Sequence, residues 1–325
     1  MDRLLSLSSI MGGSLKSKGV RDKEELDYYI ESKMWGGDLY MKLLTKKKIF
    51  VFNDYGIPIV KYRLTDGRYY YNPTTVCIWG FYNLKRVKQG DYEGLTYIRN
   101  CVEWLYDNSE ETNYGGSVWR YGMDWQTHGL KVGWISGMTQ GLAISLLLRC
   151  AKLFGRLEYL GLAEKAFHPM TVPVEEGGAA IVSDDFYWVE EIPSKNPSFV
   201  LNGFIFALFG VYDLCRFTGK KMYKEWFDKA ILTLVKMLPR FDLGTWSRYD
   251  LGLKVVRSKT NLLLEKILSS GEMHNIATPS YNALHVDQLR ALYEITGVTQ
   301  FSYYAKRWSL NPLKYVEFLT YLLST

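Results

Sequence analysis

A chain of 325 residues, 47% hydrophobic and 15% aromatic, can bury one large core or two modest ones and is not a disordered protein. Its longest wholly apolar run, Gly203 to Val211, is too short to span a bilayer, so no membrane span is expected. Forty Lys and Arg against 34 Asp and Glu give +6, a balance that suits an acidic partner and equally suits a soluble protein of basic pI.

The first residues carry an acid at Asp2 and no long apolar core, so no signal peptide is read and the cytoplasm is the default location. Cys77, Cys101, Cys150 and Cys215 lie apart in apolar helical text and read as buried free thiols. His128, His168, His274 and His285 show no metal-ligand spacing, and no CxxC, Walker loop, GxGxxG or GxSxG occurs. Neither a metal nor a cofactor is expected, and no nucleic-acid partner.

Glu24 to Ile30 can form one short helix, and the Lys46-Lys47-Lys48 run reads as a solvated turn or a polyanion contact. Ile49–Phe52 and Ile57–Val60 flank Asn53-Asp54-Tyr55-Gly56, which predicts a hairpin. Residues 1–68 are thus read as an N-terminal segment with a short helix and a hairpin, and residues 69–325 as an α/α-barrel domain.

Two kinds of helix then alternate. Thr74–Leu84, Trp134–Phe154, Ser198–Phe217 and Tyr281–Thr296 are nearly all apolar. Each is followed by an amphipathic partner, near Glu93–Tyr106, Arg156–Phe167, Lys220–Leu238 and Gln300–Trp308. In the third partner Met222, Trp226, Ala230, Leu234 and Leu238 make an i, i+4 stripe that places one face on a core. The pattern predicts a mainly α protein, an α/α toroid of about four helix pairs, with short β-hairpins in the N-terminal part and in loops on one rim.

The third apolar helix is expected to start at Asn196-Pro197-Ser198, with the asparagine as cap and the proline in the first turn. Before it, Ile192 precedes Pro193 and is pushed away from helical φ/ψ, so Glu190 and Glu191 lie on an extended approach. Polar residues gather at the starts of the apolar helices. Ser136, Thr139 and Gln140 do so in the second, Ser198 and Asn202 in the third, and Tyr281, His285 and Gln288 form a stripe at i, i+4 and i+7 in the fourth. Long aromatic connections precede these helices at Ser117–Tyr121, Ala180–Glu190 and Leu243–Val256, and such loops commonly carry function. Converging helix N-termini favour an anionic ligand.

Four blocks then carry a resemblance: GWISGMTQGLAIS at Gly133–Ser145, SFVLNGF at Ser198–Phe204, Tyr249-Asp250-Leu251, and YNALHVDQL at Tyr281–Leu289. Together with the Gly56-Ile57-Pro58 and Tyr70-Tyr71-Asn72-Pro73 neighbourhoods, the region from about Gly56 to Trp308 resembles the C-terminal domain of D-glucuronyl C5-epimerases. Those enzymes turn D-glucuronate into L-iduronate within heparan-type polymers such as heparosan, on an α/α barrel. The resemblance implies that Tyr249 and Tyr281 are catalytic tyrosines and that Glu191, with Glu190 beside it, supplies the carboxylate of a Glu-Tyr-Pro segment. Arg248, His285, Gln288, Asn202, Gln140, Trp134 and Tyr71 are the candidate substrate contacts. The implied partner is an acidic polysaccharide containing glucuronate, and a homodimer is admitted.

The chemistry is consistent with these residue types. Removing the C5 proton beside a carboxylate needs a base and neutralisation of the growing charge, and inversion needs a donor on the opposite ring face. A phenol with a pKa of about 10 becomes a base at neutral pH only near a cation, for which Arg248 is the candidate. Ile192 stands where the family pattern has a tyrosine between Glu and Pro, and Gly252 where it has an arginine. Three readings follow: a uronosyl C5-epimerase; a polysaccharide lyase or glycoside hydrolase on the same toroid, the latter pairing Glu190 or Glu191 with Asp250 or Asp287; and a non-catalytic glycan-binding homologue. His285 could equally be a core histidine, and Trp134 and Trp246 core residues or sugar platforms.

Overall fold

The computed structural model describes residues 50–61, 67–252 and 275–309. The expected helix at 24–30 and the lysine run at 46–48 lie outside the described residues. Among those described the protein is mainly helical with a few short strands. They fall into two compact units, one ending at Ala230 and the other beginning at Ile231.

In the first unit, β1 (Phe50–Phe52), β2 (Pro58–Lys61) and β3 (Tyr69–Tyr71) form an antiparallel sheet in the order β1-β2-β3. Asn53 organises the hairpin turn, its Oδ1 accepting from the amides of Tyr55 and Ile57 at 3.0 and 2.9 Å. Gly56 is at φ +69°, and a Cβ there would lie 2.5 Å from the Tyr97 ring, so only glycine closes this turn. The strand Tyr69–Tyr71 joins the hairpin sheet across the boundary expected after residue 68.

Asn72 then caps α1 (Pro73–Lys88) by accepting from the Thr75 amide, with proline in the first turn, one residue before the expected start at Thr74. This helix packs with α2 (Gly94–Asp107), as α3 (Gly137–Phe154) does with α4 (Glu158–Phe167). The short strands β4 (Glu110–Glu111) and β5 (Ser117–Val118), and the hairpin β6 (Ala180–Ser183) and β7 (Phe186–Val189), fill the long connections. The helix α5 (Leu201–Thr218) and the start of α6 (Lys221–Phe241) complete the unit. In α6 Trp226, Ala230, Leu234 and Leu238 are buried as predicted, whereas Met222, in its first turn, is exposed. The helix also runs past the expected end at Leu238 and through Pro239.

Two starts differ from the sequence reading. The second apolar helix begins at Gly137 with Ser136 as its cap, which leaves Trp134 in the preceding loop. The third begins at Leu201 rather than at Asn196, because Phe199 is held at φ +51° and the amides of Ser198 and Phe199 are already bound by the Glu190 carboxylate. A tertiary partner has replaced the expected local cap. Cys77, Cys101 and Cys150 are buried free thiols, and Cys215 is only partly buried.

The cores of α3 and α5 meet backbone to backbone. A Cβ on Gly210 would lie 2.6 Å from Gly141 Cα, and one on Gly141 would lie 2.4 Å from Phe206 O. Arg149 and Asp213 form an ion pair of 2.6 Å across the same two helices, with both side chains largely buried. In the second unit α7 (Pro279–Thr296) has Thr278 as cap, Pro279 in its first turn and Gly297 at φ +72° beyond its end, and packs with α8 (Thr299–Trp308).

The glycine contact yields a paired prediction. Gly210→Ala should lower unfolding stability by roughly 1–3 kcal/mol, since neither backbone can retreat from the added methyl. Gly161→Ala, on α4 with nothing within 4 Å of the new Cβ, should instead raise it by about 0.5–1 kcal/mol. Urea unfolding of both variants measures the contrast, and equal effects would contradict the close approach.

Candidate active site

In the second unit the segment after α6 turns back at Asp242. Its carboxylate accepts from Gly244 N, from Arg307 Nε at 3.0 Å and from Trp308 Nε1 at 2.9 Å, tying the turn to α8. Leu243 N bonds Trp246 O and Arg248 N bonds Phe241 O, while the Trp246 indole donates to Ala277 O at 2.8 Å. Trp246 is therefore a core residue. The chain next pairs with the approach to α7: Ala277 N donates to Ser247 O at 3.0 Å and Tyr249 N to Asn275 O at 2.7 Å.

Along extended backbone, side chains two apart share a face. Ser247 and Tyr249 both meet α7 in this way. The Ser247 Oγ lies 2.9 Å from Asn282 Oδ1 and 2.8 Å from His285 Nδ1. The Tyr249 and Tyr281 rings lie 4.7 Å apart, centroid to centroid, with their planes at 59°. Two tyrosines 32 positions apart in the chain are thus in contact. The same alternation assigns Arg248 to the other face of the segment, where partial burial lowers its pKa.

Asp250 follows Tyr249 and is anchored through Oδ1, which accepts from Gly252 N at 3.1 Å and from Asn275 Nδ2 at 2.5 Å. Burial pushes its carboxyl up to about 6. Asn275 reaches this position at φ +60°, a conformation asparagine tolerates better than most residues. On α7, Tyr281 is 38% exposed, whereas His285 and Gln288, one and two turns further on, are 0% exposed. Burial draws His285 down to about 3, so its ring is neutral.

The remaining candidates lie in the first unit. Glu190 is 0% exposed, and its two oxygens accept from Ser198 N at 3.0 Å and Phe199 N at 2.9 Å. Its backbone also bridges two elements, accepting from Gly137 N and donating to Ala179 O. Glu191 is partly buried over α5, where a Cβ on Gly203 would lie 2.3 Å from its Oε2. The glycine makes room for this carboxylate. Ile192 is buried at 3% exposure, an apolar side chain where the resemblance expects a tyrosine.

Gln140 donates from Nε2 to Ser117 O and Ala166 O at 2.8 and 2.9 Å, which pins two loop carbonyls. Trp134 stacks on Tyr121 at 3.8 Å and donates to Met123 O. Asn202 is buried, with Nδ2 4.0 Å from Met138 Sδ. Tyr71 remains 37% exposed, its hydroxyl accepting from Asn53 Nδ2 and its ring 5.3 Å from Trp104.

Sequence reasoning did not single out Ser247, Asn282, Asn275 or Tyr121. The Tyr121 hydroxyl lies with those of Thr74 and Thr139 in a triangle of 2.7–2.9 Å, and burial pushes its phenol up to about 12. Ser247 had a usable signal, two residues before Tyr249 in strand-like text. Among the described residues no group of three or more His, Cys, Asp or Glu is placed to hold a metal ion.

A family model described as the D-glucuronyl C5-epimerase C-terminus matches residues 112–310, which include every residue of the tyrosine pair and its supports. The chain is 31% identical over 194 residues to the D-glucuronyl C5-epimerase of Caenorhabditis elegans, a match that covers 55% of this chain but 29% of that protein. It is 25% identical over 284 residues to an uncharacterized protein of Methanocaldococcus jannaschii, covering 80% of this chain and 85% of the other. Among solved structures it is similar to a GH76 α-mannanase of Bacteroides thetaiotaomicron, with TM-score 0.51 and 11% identity over 84% of this chain and 67% of that one. At that identity the likeness establishes the fold class, an α/α toroid, and no activity. The chain belongs to the D-glucuronyl C5-epimerase C-terminal family.

Proposed function

We propose that the protein is a uronosyl C5-epimerase acting on glucuronate within an acidic polysaccharide. The observation that carries the reading is the contact of Tyr249 with Tyr281 in a chain of this family. Each phenol comes from a separate element, one from the segment after α6 and one from the first turn of α7. In the reaction a deprotonated phenol takes the C5 proton while the C–H electron pair moves into the carboxyl group as an enolate. The second phenol then gives its proton to the opposite face of C5. No bond in the polymer is lost and no oxidant or reductant is needed.

Within the second unit His285 and Gln288 would contact the glycan beside that step, and Arg248, on the other face of its segment, would meet charge elsewhere on the polymer; in the first unit Glu191, Asn202 and Tyr71 are the candidate glycan contacts. Gln140 and Trp134 act through the loops they hold. Glu190, with both oxygens bound to backbone amides, acts as the anchor that sets Glu191 and the start of α5.

Incubation with glucuronate polysaccharides in D2O tests the reaction. Deuterium should appear at C5 with the chain length unchanged, whereas shortened chains would indicate lyase or hydrolase chemistry instead. Tyr249→Phe and Tyr281→Phe should each lower C5 exchange by orders of magnitude with stability kept, and full activity in both would remove the tyrosine mechanism.

The two adjacent glutamates should separate. Glu190→Ala leaves two backbone amides without their acceptor and should cost about 1–3 kcal/mol of stability in urea unfolding. Glu191→Gln should leave stability nearly unchanged and lower exchange by about 10²-fold.

Acid should destabilise the fold through His285. An unfolded histidine titrates near 6.5 and this one near 3, so the unfolded chain binds the extra proton and stability falls as pH drops between those values. Asp250 opposes this, because its folded carboxyl keeps a proton up to about 6 and an unfolded one only up to about 3.9. His285→Gln should therefore flatten the acid loss and Asp250→Asn should steepen it, as read from unfolding midpoints between pH 7 and pH 4.

A further inference from the structure

Asn282 fixes the direction of every bond in the chain that ends on His285. Its Nδ2 donates to Trp308 O at 3.1 Å and its Oδ1 accepts from the Ser247 amide at 3.0 Å, which admits one orientation of the side chain. Ser247 Oγ, 2.9 Å from that same Oδ1, can only donate there. Having given its one proton to Asn282, the hydroxyl offers lone pairs alone to His285 Nδ1 at 2.8 Å. Nδ1 must then carry the imidazole proton, and Nε2 is left as a bare lone pair.

That lone pair is unusual for a side chain that is 0% exposed, since Nε2 has no hydrogen-bond partner among the described residues. A buried acceptor without a donor costs roughly 1–3 kcal/mol, so a donor supplied later recovers that loss. Tyr281, 38% exposed and one turn nearer the start of α7, marks the open end of the face on which His285 lies. The ring is neutral, so it attracts no anion as an imidazolium would. Of the groups a uronate carries, the carboxylate has no proton to give it, which leaves a hydroxyl as the matching group.

We propose that His285 Nε2 is the acceptor for a sugar hydroxyl of the glycan, and that Ser247 and Asn282 are positioning residues that hold the imidazole in the tautomer able to accept it. The proposal rests on the glycan-processing reading above and adds to it the direction of one hydrogen bond. It also gives the Ser247–Asn282 pair two tasks, placing the tyrosine segment and setting the histidine.

Long-range proton–nitrogen NMR on the full chain labelled with [15N]histidine reads the tautomer directly, because the protein has four histidines to resolve. His285 should show a protonated Nδ1 and an unprotonated Nε2 from pH 5 to pH 8, and Ser247→Ala should release it into a mixture. A glucuronate-containing oligosaccharide at saturation should move the Nε2 resonance upfield and leave Nδ1 nearly in place. A protonated Nε2 in the wild type, or an Nε2 unmoved by bound oligosaccharide, overturns the proposal.

Two substitutions divide the histidine's roles. His285→Gln can place an acceptor near the Nε2 position, while His285→Asn keeps only a donor toward Ser247. The Gln variant should bind the oligosaccharide within a few-fold of wild type and the Asn variant about tenfold more weakly, one hydrogen bond's worth. Equal affinities, or the opposite order, overturn the assignment. The epimerase reading fails separately: Nε2 movement without C5 deuteration in D2O would sink it and leave the acceptor standing, whereas no oligosaccharide binding at all would overturn both.

Discussion

Ser247 bonds Asn282 through both its amide and its hydroxyl, and those two bonds decide where the tyrosine pair sits. The segment from Trp246 to Leu251 contains no helix and little strand, so its own backbone cannot hold it against α7. What holds it is a set of directed bonds: the Trp246 indole to Ala277, Ser247 to Asn282, Tyr249 N to Asn275 and Asp250 to Asn275. With Ser247 facing α7, Tyr249 two residues on must face it too. The same alternation that brings Tyr249 to Tyr281 places Arg248 on the other face of the segment.

Polar groups in this protein are buried as connectors more often than they are presented. Gln140 spends its amide on two loop carbonyls, Glu190 its carboxylate on two amides, and Ser136 its hydroxyl on a helix end. Each is buried, and a buried polar atom without a partner is costly, which is why these side chains are engaged. His285 departs from that pattern at one nitrogen, as Gln140 does at its amide oxygen, and the histidine's departure is informative because its other nitrogen is so fully determined.

The helices were legible because apolar runs, proline starts and glycine ends agree with one another. The run Pro279–Thr296, with Thr278 before it and Gly297 after, is read correctly to within two residues. The start of α5 was not legible, since local rules point to Asn196 while the real stop comes from Glu190 acting across the fold. Nothing local announces φ +51° at Phe199 or φ +60° at Asn275. The site was legible only through ordered blocks: among 25 tyrosines, no composition or spacing marks Tyr249 and Tyr281 as neighbours. Polarity at helix starts pointed to Gln140 and Ser136, and the structure finds them pinning loops and capping a helix, tasks that use the same residue types as binding.

The central claim is that a uronate is worked on at the Tyr249–Tyr281 pair. A crystal structure of the Tyr281→Phe variant with a glucuronate oligosaccharide addresses it most directly. The account predicts a uronate ring whose C5 lies within about 3–3.5 Å of the Tyr249 phenol oxygen, the near-attack separation for proton transfer. A glycan seated with C5 out of reach of that oxygen would contradict the account.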